Sequence, residues 1–402
     1  MRKKKLMLLG GIRYLLPVIK AAHEQGYYVI TADYLPDNIA HKYSDEYVNV
    51  SIIDKEAVLK VAQEKQIDGI MSFGVDPGVV SAAYVAEKMG LPFQCSYEAA
   101  CILQDKSRFR QFLAEHDFNC PKAKGYDNID EALKDIDYFT WPVIVKPVDS
   151  AGSKGVTKVE RKEELKSSIE KALSSSFSKR FIIEDFLDIV GCQSSADVFA
   201  INGKLAYPAF SDQLFDKSAA NPFTPAIEIW PSSMPKTVQQ ELSEELQRLF
   251  KLLGIRSGIF NIESRLCSNG KAYLMEVSPR GGGNRIAELQ TMATGQDLIA
   301  NEVRQIMGRN IVGITNPTYD GVWCNYILHS SFEGILKSID INSNFKSKHV
   351  MGEGYSVAIG DKIVPFTGAN TSLGTLFLRT DSRKEMDDIL SHIGDYVSIK
   401  LK

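Results

Sequence analysis

Two strand-like runs, Ile259–Leu266 and Ala272–Ser278, flank an Asn269-Gly270 pair. Asn-Gly suits a two-residue type I′ hairpin turn, because both turn positions need positive φ and these residues adopt it at little cost. Such a turn makes the runs antiparallel neighbours, and the alternation of side chains then sets which residues share a face. With Ser268 paired to Lys271, counting outward puts Glu263 opposite Glu276 and Asn261 opposite Ser278. Directly opposed residues have Cβ atoms about 4.5–5.5 Å apart, and like charges there repel. Two carboxylates so arranged call for something between them, and a hard divalent cation shared with phosphates is the natural occupant. A solvated pair on an exposed hairpin is the alternative. The rest of the chain has to decide between them.

The bulk properties exclude several classes. The chain has 402 residues, 44% hydrophobic and 24% charged, which is globular composition sufficient for two to four domains. A net charge of −3 gives no signal for nucleic acid or an anionic membrane surface. The basic start, Arg2–Lys5, leads into an apolar run of only Leu6–Leu9 before Gly10-Gly11 and Arg13, shorter than a signal peptide requires. No run approaches the roughly 18 apolar residues of a membrane span. Six cysteines without CxxC spacing and six histidines without HExxH imply reduced, mostly buried thiols in a cytoplasmic protein without structural zinc.

Residues 1–100 alternate strand and helix: strands at Leu6–Leu9, Tyr28–Ala32 and Gly69–Ser72, helices at Ile12–Gln25, Ala57–Lys65 and Pro77–Met89. That is a parallel α/β pattern. Gly10-Gly11 sits at the first strand-to-helix turn, but the full GxGxxG spacing of a dinucleotide site is missing. Further on, a helix carries Lys106, and the apolar strand Trp141–Pro147 ends in Lys146. The loop Asp149–Gly155 follows and then the strand Val156–Val159. A Gly/Ser loop between two strands, with no helix after it, is a flap whose amides and small side chains can approach phosphate oxygens. A plain hairpin is the competing reading.

Phe181–Glu184 reads as a strand, and Asn202-Gly203 as the turn of a second hairpin joining Val198–Ile201 to Lys204–Tyr207. Lys236–Leu253 is a helix with Val238, Leu242, Leu246, Leu249 and Leu253 on one face and Gly254 as its stop. After the carboxylate hairpin, Pro279–Asn284 leads into a helix over about Arg285–Met292. Residues 311–402 read as a small α+β module, with strands near Gly321–Leu328 and Tyr355–Ile359 and a helix near Arg383–Ile393.

In order along the chain stand Asp105-Lys106, Ile144–Pro147, Ser150–Gly155, Ile183–Phe186, Asn261-Ile-Glu263 and Glu276–Arg280. Together they resemble the ATP-grasp superfamily over about residues 1–310, nearest its amino-acid ligase and carbamoyl-phosphate-synthase-like branch. The resemblance implies an α/β and α+β multidomain protein. Residues 1–103 would form a Rossmann-like pre-ATP-grasp domain, 104–310 the ATP-grasp domain (104–180 bearing the lid, 181–310 holding metal and nucleotide), and 311–402 the C-terminal module.

It also implies roles. Lys106 and Lys146 would hold the α- and β-phosphates of ATP as compact point charges. Ser150, Gly152, Ser153, Lys154 and Gly155 would cover the triphosphate and exclude water. Glu184, Asp185, Phe186 and Leu187 would line adenine, with Glu184 contributing directly. Relatives usually carry a Glu for the ribose hydroxyls where this chain has Gln193; Asp188 is the other candidate. Glu263 and Glu276 would bind one or two Mg²⁺ (or Mn²⁺) ions. Ser278 stands where most relatives have an Asn ligand, with Asn261 as its substitute. Arg280 would steady the transferred phosphoryl group, and Gly281–Gly283 would let a carboxylate substrate approach the backbone. Asn284 and Arg285 would open a helix whose N-terminus favours an anion.

The reaction implied is ATP-dependent joining of a carboxylate to an amine through an acyl phosphate, giving ADP and phosphate. The catalytic residues would be Lys146, Glu276 and Arg280. Two readings compete with it: a bicarbonate-using carboxylase or carbamoyl-phosphate-type enzyme, and an ATP-binding regulatory protein without turnover. Small-molecule substrates are expected, with neither nucleic acid nor membrane, and a homodimer by analogy with relatives. Substrate selection would fall to the Ser211–Pro225 loop, with Asp212, Phe215, Asp216 and Phe223, and to Arg265.

Overall fold

A computed structural model describes residues 2–150 and 152–402. The first hundred residues form a four-stranded parallel sheet in the order Glu46–Asn49, Tyr28–Asp33, Lys5–Leu9, Gly69–Ser72. Leu6 to Leu9 are fully buried, as a strand covered on both faces by helices must be. The covering helices are Leu16–Glu24, Lys55–Lys65 and Val79–Met89. Two of them start later than the sequence pattern suggests, because Arg13–Leu15 and Asp76–Gly78 form tight 3₁₀ turns first. The short edge strand Glu46–Asn49 carries no clear alternation and escapes a pattern reading.

Residues 123–185 build an antiparallel sheet in the order Ala123–Tyr126, Phe181–Asp185, Val143–Pro147, Thr157–Val159. Val143, Val145, Phe181 and Ile183 pack on Leu165, Ile169 and Ala172 of the helix Leu165–Ser174. The flap joins Pro147 to Thr157 along one edge of this layer, and Ala151 lies outside the described residues.

A third sheet, Lys204–Tyr207, Ser194–Ile201, Gly258–Leu266, Ala272–Ser278, carries the paired carboxylates. At Asn202-Gly203 both residues take positive φ, 50° and 79°, and Ile201 pairs with Lys204, the expected two-residue turn. Asn269-Gly270 behaves differently. Only Gly270 takes positive φ (76°), the Cys267 amide donates to the Lys271 carbonyl, and the loop is three residues long. That shifts the pairing by one, so Leu266 faces Ala272 and Ser264 faces Leu274. A bulge at Met275 then shifts it back. Glu263 therefore does face Glu276, and Asn261 faces Ser278. The pairing is as expected, although the count that led to it was not.

The remaining strands do not form a separate layer confined to the C-terminal segment. One five-stranded sheet runs Asp212–Phe215, Pro225–Trp230, Val322–Leu328, Gly374–Thr380, Val350–Tyr355. It joins strands from both sides of residue 310 through the Glu228–Asn325 and Ile229–Cys324 pairs. A three-stranded sheet of Lys362–Ile363, Gly334–Ile341 and Val397–Leu401 packs beside it. The strand expected at Tyr355–Ile359 ends instead at Tyr355, where the chain turns away from Gly374. Among the described residues no helix is long and apolar enough to cross a membrane, and all six cysteines are free thiols.

Candidate active site

The carboxylate pair sits beside the helix Lys106–Glu115, whose Lys106 and Arg110 reach the third sheet at Glu276 and Met275. Asp105 caps that helix, accepting from the amides of Ser107 (2.9 Å) and Arg108 (3.1 Å). Capping points Lys106 inward: its Nζ lies 3.5 Å from Glu276 Oε2 and donates to the Ser150 carbonyl at 3.0 Å. Burial disfavours the Lys106 charge, but Glu276, Asp76 and Glu263 more than reverse this, so its pKa is raised. Glu263 is pushed the other way. Burial, and then the charge of Glu276, raise its carboxyl to about 7. The pair thus resists carrying two negative charges unaided.

One helical turn past Lys106, Arg110 meets Glu184 and Lys146 in a buried triad. Lys146 Nζ lies 2.5 Å from Glu184 Oε1, and Arg110 Nε lies 3.0 Å from Oε2. Burial pulls the Lys146 pKa down to about 8, and Arg110 adds to the effect against the pull of Glu184. Burial would raise Glu184, but Arg110 and Lys146 hold it well below the usual carboxylate range. Arg110 Nη1 also donates to the carbonyl of Met275 (2.9 Å), the bulge residue beside Glu276. The same guanidinium therefore supports both the lysine and the bulge that aligns the carboxylates.

Several expected contributors lie elsewhere or are already engaged. The Glu184 carboxylate is engaged by Lys146 and Arg110, and its backbone lies between two neighbouring strands. Asp185 accepts from the Thr140 amide at 2.9 Å, and the Phe186 amide donates to the Pro142 carbonyl at 3.0 Å. Leu187 packs on Cys267, Tyr273 and Met275. Asp188 is exposed. Gln193 is buried beside the carboxylate pair: its Nε2 reaches Gln213 Oε1 (2.8 Å) and Glu263 Oε2 (3.2 Å), and its Oε1 accepts from Arg265. Ser278 does not join the carboxylates. It is fully buried, with its hydroxyl accepting from Gln104 and donating to Asp76 (3.1 Å).

The flap carries left-handed backbone at Gly152, Ser153 and Gly155, with φ of 66°, 58° and 72°. Its stem is tied by Asp149, which accepts from Ser176 and from the amides of Phe177 and Ser178. Ser150 meets Lys106, Ser153 donates to the Phe223 carbonyl at 3.0 Å, and Lys154 is exposed. Of the proposed selectivity residues, Asp212 is buried against Ser232 and Arg383, and Asp216 pairs with His329.

Arg280 is held from the first parallel sheet. Its Nε (2.8 Å) and Nη2 (2.7 Å) both rest on Asp76 Oδ1, and its Nη1 donates to the Gly281 carbonyl (3.0 Å). The three glycines that follow are not an open backbone for a substrate. A Cβ on Gly281 would lie 2.3 Å from the Phe73 ring, one on Gly282 2.7 Å from Asn261 Nδ2, and one on Gly283 3.3 Å from Tyr14. Gly281 and Gly283 let the first domain pack onto the loop, and Gly282 lets the loop pack onto the third sheet. Asp197, buried, accepts from the Gly282 amide and from Asn261; burial raises its carboxyl to about 6. Arg285 precedes the helix Ile286–Thr294, and its guanidinium pairs with Glu288 and contacts Thr375.

Sequence reasoning missed Arg110, Asp76, Gln104 and Asp197. Arg110 lies four residues after Lys106 on one helix, so helical spacing already aims both at the same neighbours. Asp76 follows the carboxyl end of a parallel strand, where open α/β sheets place functional groups.

Residues 139–288 match the family described as ATP-grasp domain. The chain carries that domain over those residues. It is 23% identical over 338 residues to the carbamoyl phosphate synthase large chain of Thermotoga sp. (strain RQ2), covering 80% of this chain and 30% of that one. The chain thus spans about a third of the length of that relative. Its fold is that of the L-amino acid ligase from Bacillus licheniformis, with TM-score 0.82, 20% identity and full coverage of both chains. The biotin carboxylase domain of the Hydrogenobacter thermophilus 2-oxoglutarate carboxylase, solved with MgADP and bicarbonate, shares the fold at TM-score 0.75 and 16% identity, over 100% of this chain and 92% of that one.

Proposed function

We propose that this chain is an ATP-dependent carboxylate–amine ligase that works through an acyl phosphate and takes an amino acid as one substrate. The observation that carries the reading is the opposed pair Glu263 and Glu276, flanked by Lys106, Lys146 and Arg280. Among the described residues no three His, Cys, Asp or Glu side chains converge. A cation held here would complete its shell with phosphate oxygens and water, the usual habit of Mg²⁺. The donor set fits Mg²⁺ and ATP: two acceptor carboxylates, one of them reluctant to ionise alone, beside buried cations suited to a polyphosphate. When bound, Mg-ATP supplies the phosphoryl group that activates the carboxylate.

In this reading, Glu263 and Glu276 hold the cation. Lys106 spans the carboxylates and the flap, so it responds to both metal and phosphate. Lys146, kept in place by Glu184, meets the phosphates as a fixed charge. Arg280 faces the charge that develops on the transferred group. The flap, anchored by Asp149, excludes water that would hydrolyse an acyl phosphate. Residues 1–103 contribute Asp76 and the docking surface for the Arg280 loop, residues 104–310 the nucleotide site, and residues 311–402 the far wall of the shared sheet.

Similarity to carbamoyl phosphate synthase large chains supports a second reading, with bicarbonate as the carboxylate. One experiment separates the two: ADP release from Mg-ATP against pooled amino acids, pooled carboxylates and bicarbonate, with Glu276→Ala as control. Turnover stimulated by an amino-acid pool and reduced about 100- to 1,000-fold in the variant supports the ligase. Stimulation by bicarbonate alone supports the second reading. Near-normal turnover in Glu276→Ala sinks the metal assignment, and ATP binding without turnover on any pool points to a regulatory nucleotide site.

A further inference from the structure

The loop of residues 216–224 joins the paired strands Asp212–Phe215 and Pro225–Trp230, and it is held from outside that hairpin at two places. At its start, Asp216 Oδ2 lies 3.0 Å from His329 Nε2, while Oδ1 accepts from the Ser218 amide (2.8 Å) and hydroxyl (2.6 Å). Further on, the Asn221 amide donates to the Phe366 carbonyl (3.3 Å) and Asn221 Nδ2 to the Thr367 carbonyl (3.2 Å). The His329 ring stacks on the fully buried Phe366 ring with centroids 4.4 Å apart, so the two residues form one support beneath the loop. The loop in turn carries the flap. The Phe223 carbonyl accepts from the Ser153 hydroxyl at 3.0 Å, and Ser153 sits at φ 58°. A left-handed residue with a Cβ persists only where its surroundings hold it, and here Phe223 is the holding contact.

His329 has an oxygen on each ring nitrogen. Nδ1 lies 2.7 Å from the Ile327 carbonyl, which can only accept, so Nδ1 carries a proton. Nε2 faces the Asp216 carboxylate. A neutral ring would set its Nε2 lone pair against that carboxylate, and the contact is complete only when a second proton sits on the ring. The side chain is 9% exposed, which leaves water little room to stand in for the missing proton. Among the described residues Asp216 is the one charged group bonded to the ring. Residues 364–368 offer no titratable side chain, and Lys217 and Glu333 are exposed. Tyr326 is pushed up to about 12 by burial and then by Cys324 and Asp216, so it stays neutral. Burial works against the Asp216 charge, but Ser218 and His329 outweigh it and hold the carboxyl below its usual range.

We propose that His329 is a positioning residue for the flap: protonated, it fixes Asp216 and the 216–224 loop so that Phe223 presents its carbonyl to Ser153, and unprotonated it frees the loop and deprives Ser153 of that rest. The assignment rests on the reading of the flap as the cover of the nucleotide phosphates, to which it adds control by pH. The fixed loop binds a proton that the freed loop gives up, so the rest is made at low pH and weakens as pH rises.

The test is hydrogen exchange of the amides of residues 152–156 in the full chain, read as protection factors so that the intrinsic pH dependence of exchange drops out. It is made at about pH 5.5 and about pH 8.5, either side of the range in which histidines ordinarily titrate. The wild type should lose about 10-fold of protection between the two. His329→Gln, whose amide donates to Asp216 at either pH, should keep the acid value throughout. His329→Ala should show the lower value at both, and Asp216→Ala, a change in the loop itself, does the same should the first variant fold poorly. An unchanged pH dependence in His329→Gln would overturn the proposal, because the titrating group would then lie elsewhere. So would a wild type without pH dependence, or full protection in Asp216→Ala. Adding Mg-ADP separates the two readings. If it protects the flap equally in every variant and at both pH values, the nucleotide reading stands and this one falls. If it protects nothing while pH and the variants act as expected, the flap is no nucleotide cover and the role of His329 stands.

Discussion

Replacing Glu263 by Gln should make the cation-free protein more stable at pH 8 and insensitive to the cation. The unfolded chain ionises this carboxyl near its ordinary 4.5, whereas the folded chain does so only near about 7. Between those values the folded state binds more protons than the unfolded one, so the unfolding free energy falls as pH rises. At about 1.4 kcal/mol per pH unit, the whole interval is worth about 3 kcal/mol. Glu263 is only partly buried, and water at the cleft screens it, so about 1–3 kcal/mol is the working figure. Gln keeps the shape and can still accept from Gln193, but it carries no charge against Glu276. Urea unfolding at pH 5 and pH 8 should therefore show the wild type losing stability over that range and Glu263→Gln losing about 1–3 kcal/mol less. Adding Mg-ADP at roughly a hundredfold excess over Kd should restore about 2.7 kcal/mol to the wild type at pH 8 and far less to the variant. If Glu263→Gln is no more stable than wild type at pH 8 without cation, the two carboxylates do not repel and the argument fails.

Three further outcomes follow from the geometry. Lys146→Ala should raise the KM for ATP about 10- to 100-fold; the wild-type KM should itself climb as pH passes about 8, where Lys146 loses its proton, and a flat profile would refute its phosphate role. Arg110→Met leaves the buried Glu184 with one partner and should cost about 3–5 kcal/mol in urea unfolding; an unchanged midpoint would mean that Lys146 alone satisfies it. Gly281→Ala drives a methyl into Phe73 and should cost about 1–3 kcal/mol and depress turnover. Phe73→Leu should recover part of both, and no recovery would place the clash elsewhere.

Local signals were readable where one short-range constraint dominates. Gly90 and Gly254 end their helices in the left-handed region, and Asn202-Gly203 forms the two-residue turn its side chains favour. Asn269-Gly270 has the same composition and a different turn. Its three-residue loop is compensated by the bulge at Met275, whose carbonyl accepts from Arg110, far along the chain. The strand Gly334–Ile341 went unread because its burial does not alternate, and Val397–Leu401, which does alternate, is only five residues long. In the site, Glu263 and Glu276 were legible from the hairpin pairing and Lys146 as a charge ending an apolar strand, whereas Lys106 and Arg280 stood out only through the family resemblance. Asp76 and Asp197 were not, since Asp76 meets Arg280 across a domain boundary and Asp197 meets Gly282 across 85 residues of chain. The Gly281–Gly283 run was seen, but its packing against Phe73 and Tyr14 was not. Close approach to a ligand and close approach to Phe73 leave the same mark in a sequence.

The five-stranded sheet has a consequence for synthesis. Pro225–Trp230 leaves the ribosome with a neighbour on one side only, the strand Asp212–Phe215. Its other edge waits for Val322–Leu328, which in turn waits for Gly374–Thr380. The nascent chain must carry an unpaired apolar edge, including Ile227 and Ile229, through the emergence of the whole carboxylate hairpin and the helices after it. Emergence of Val322–Leu328 and then of Gly374–Thr380, rather than completion of the third sheet, is the step at which that hazard ends.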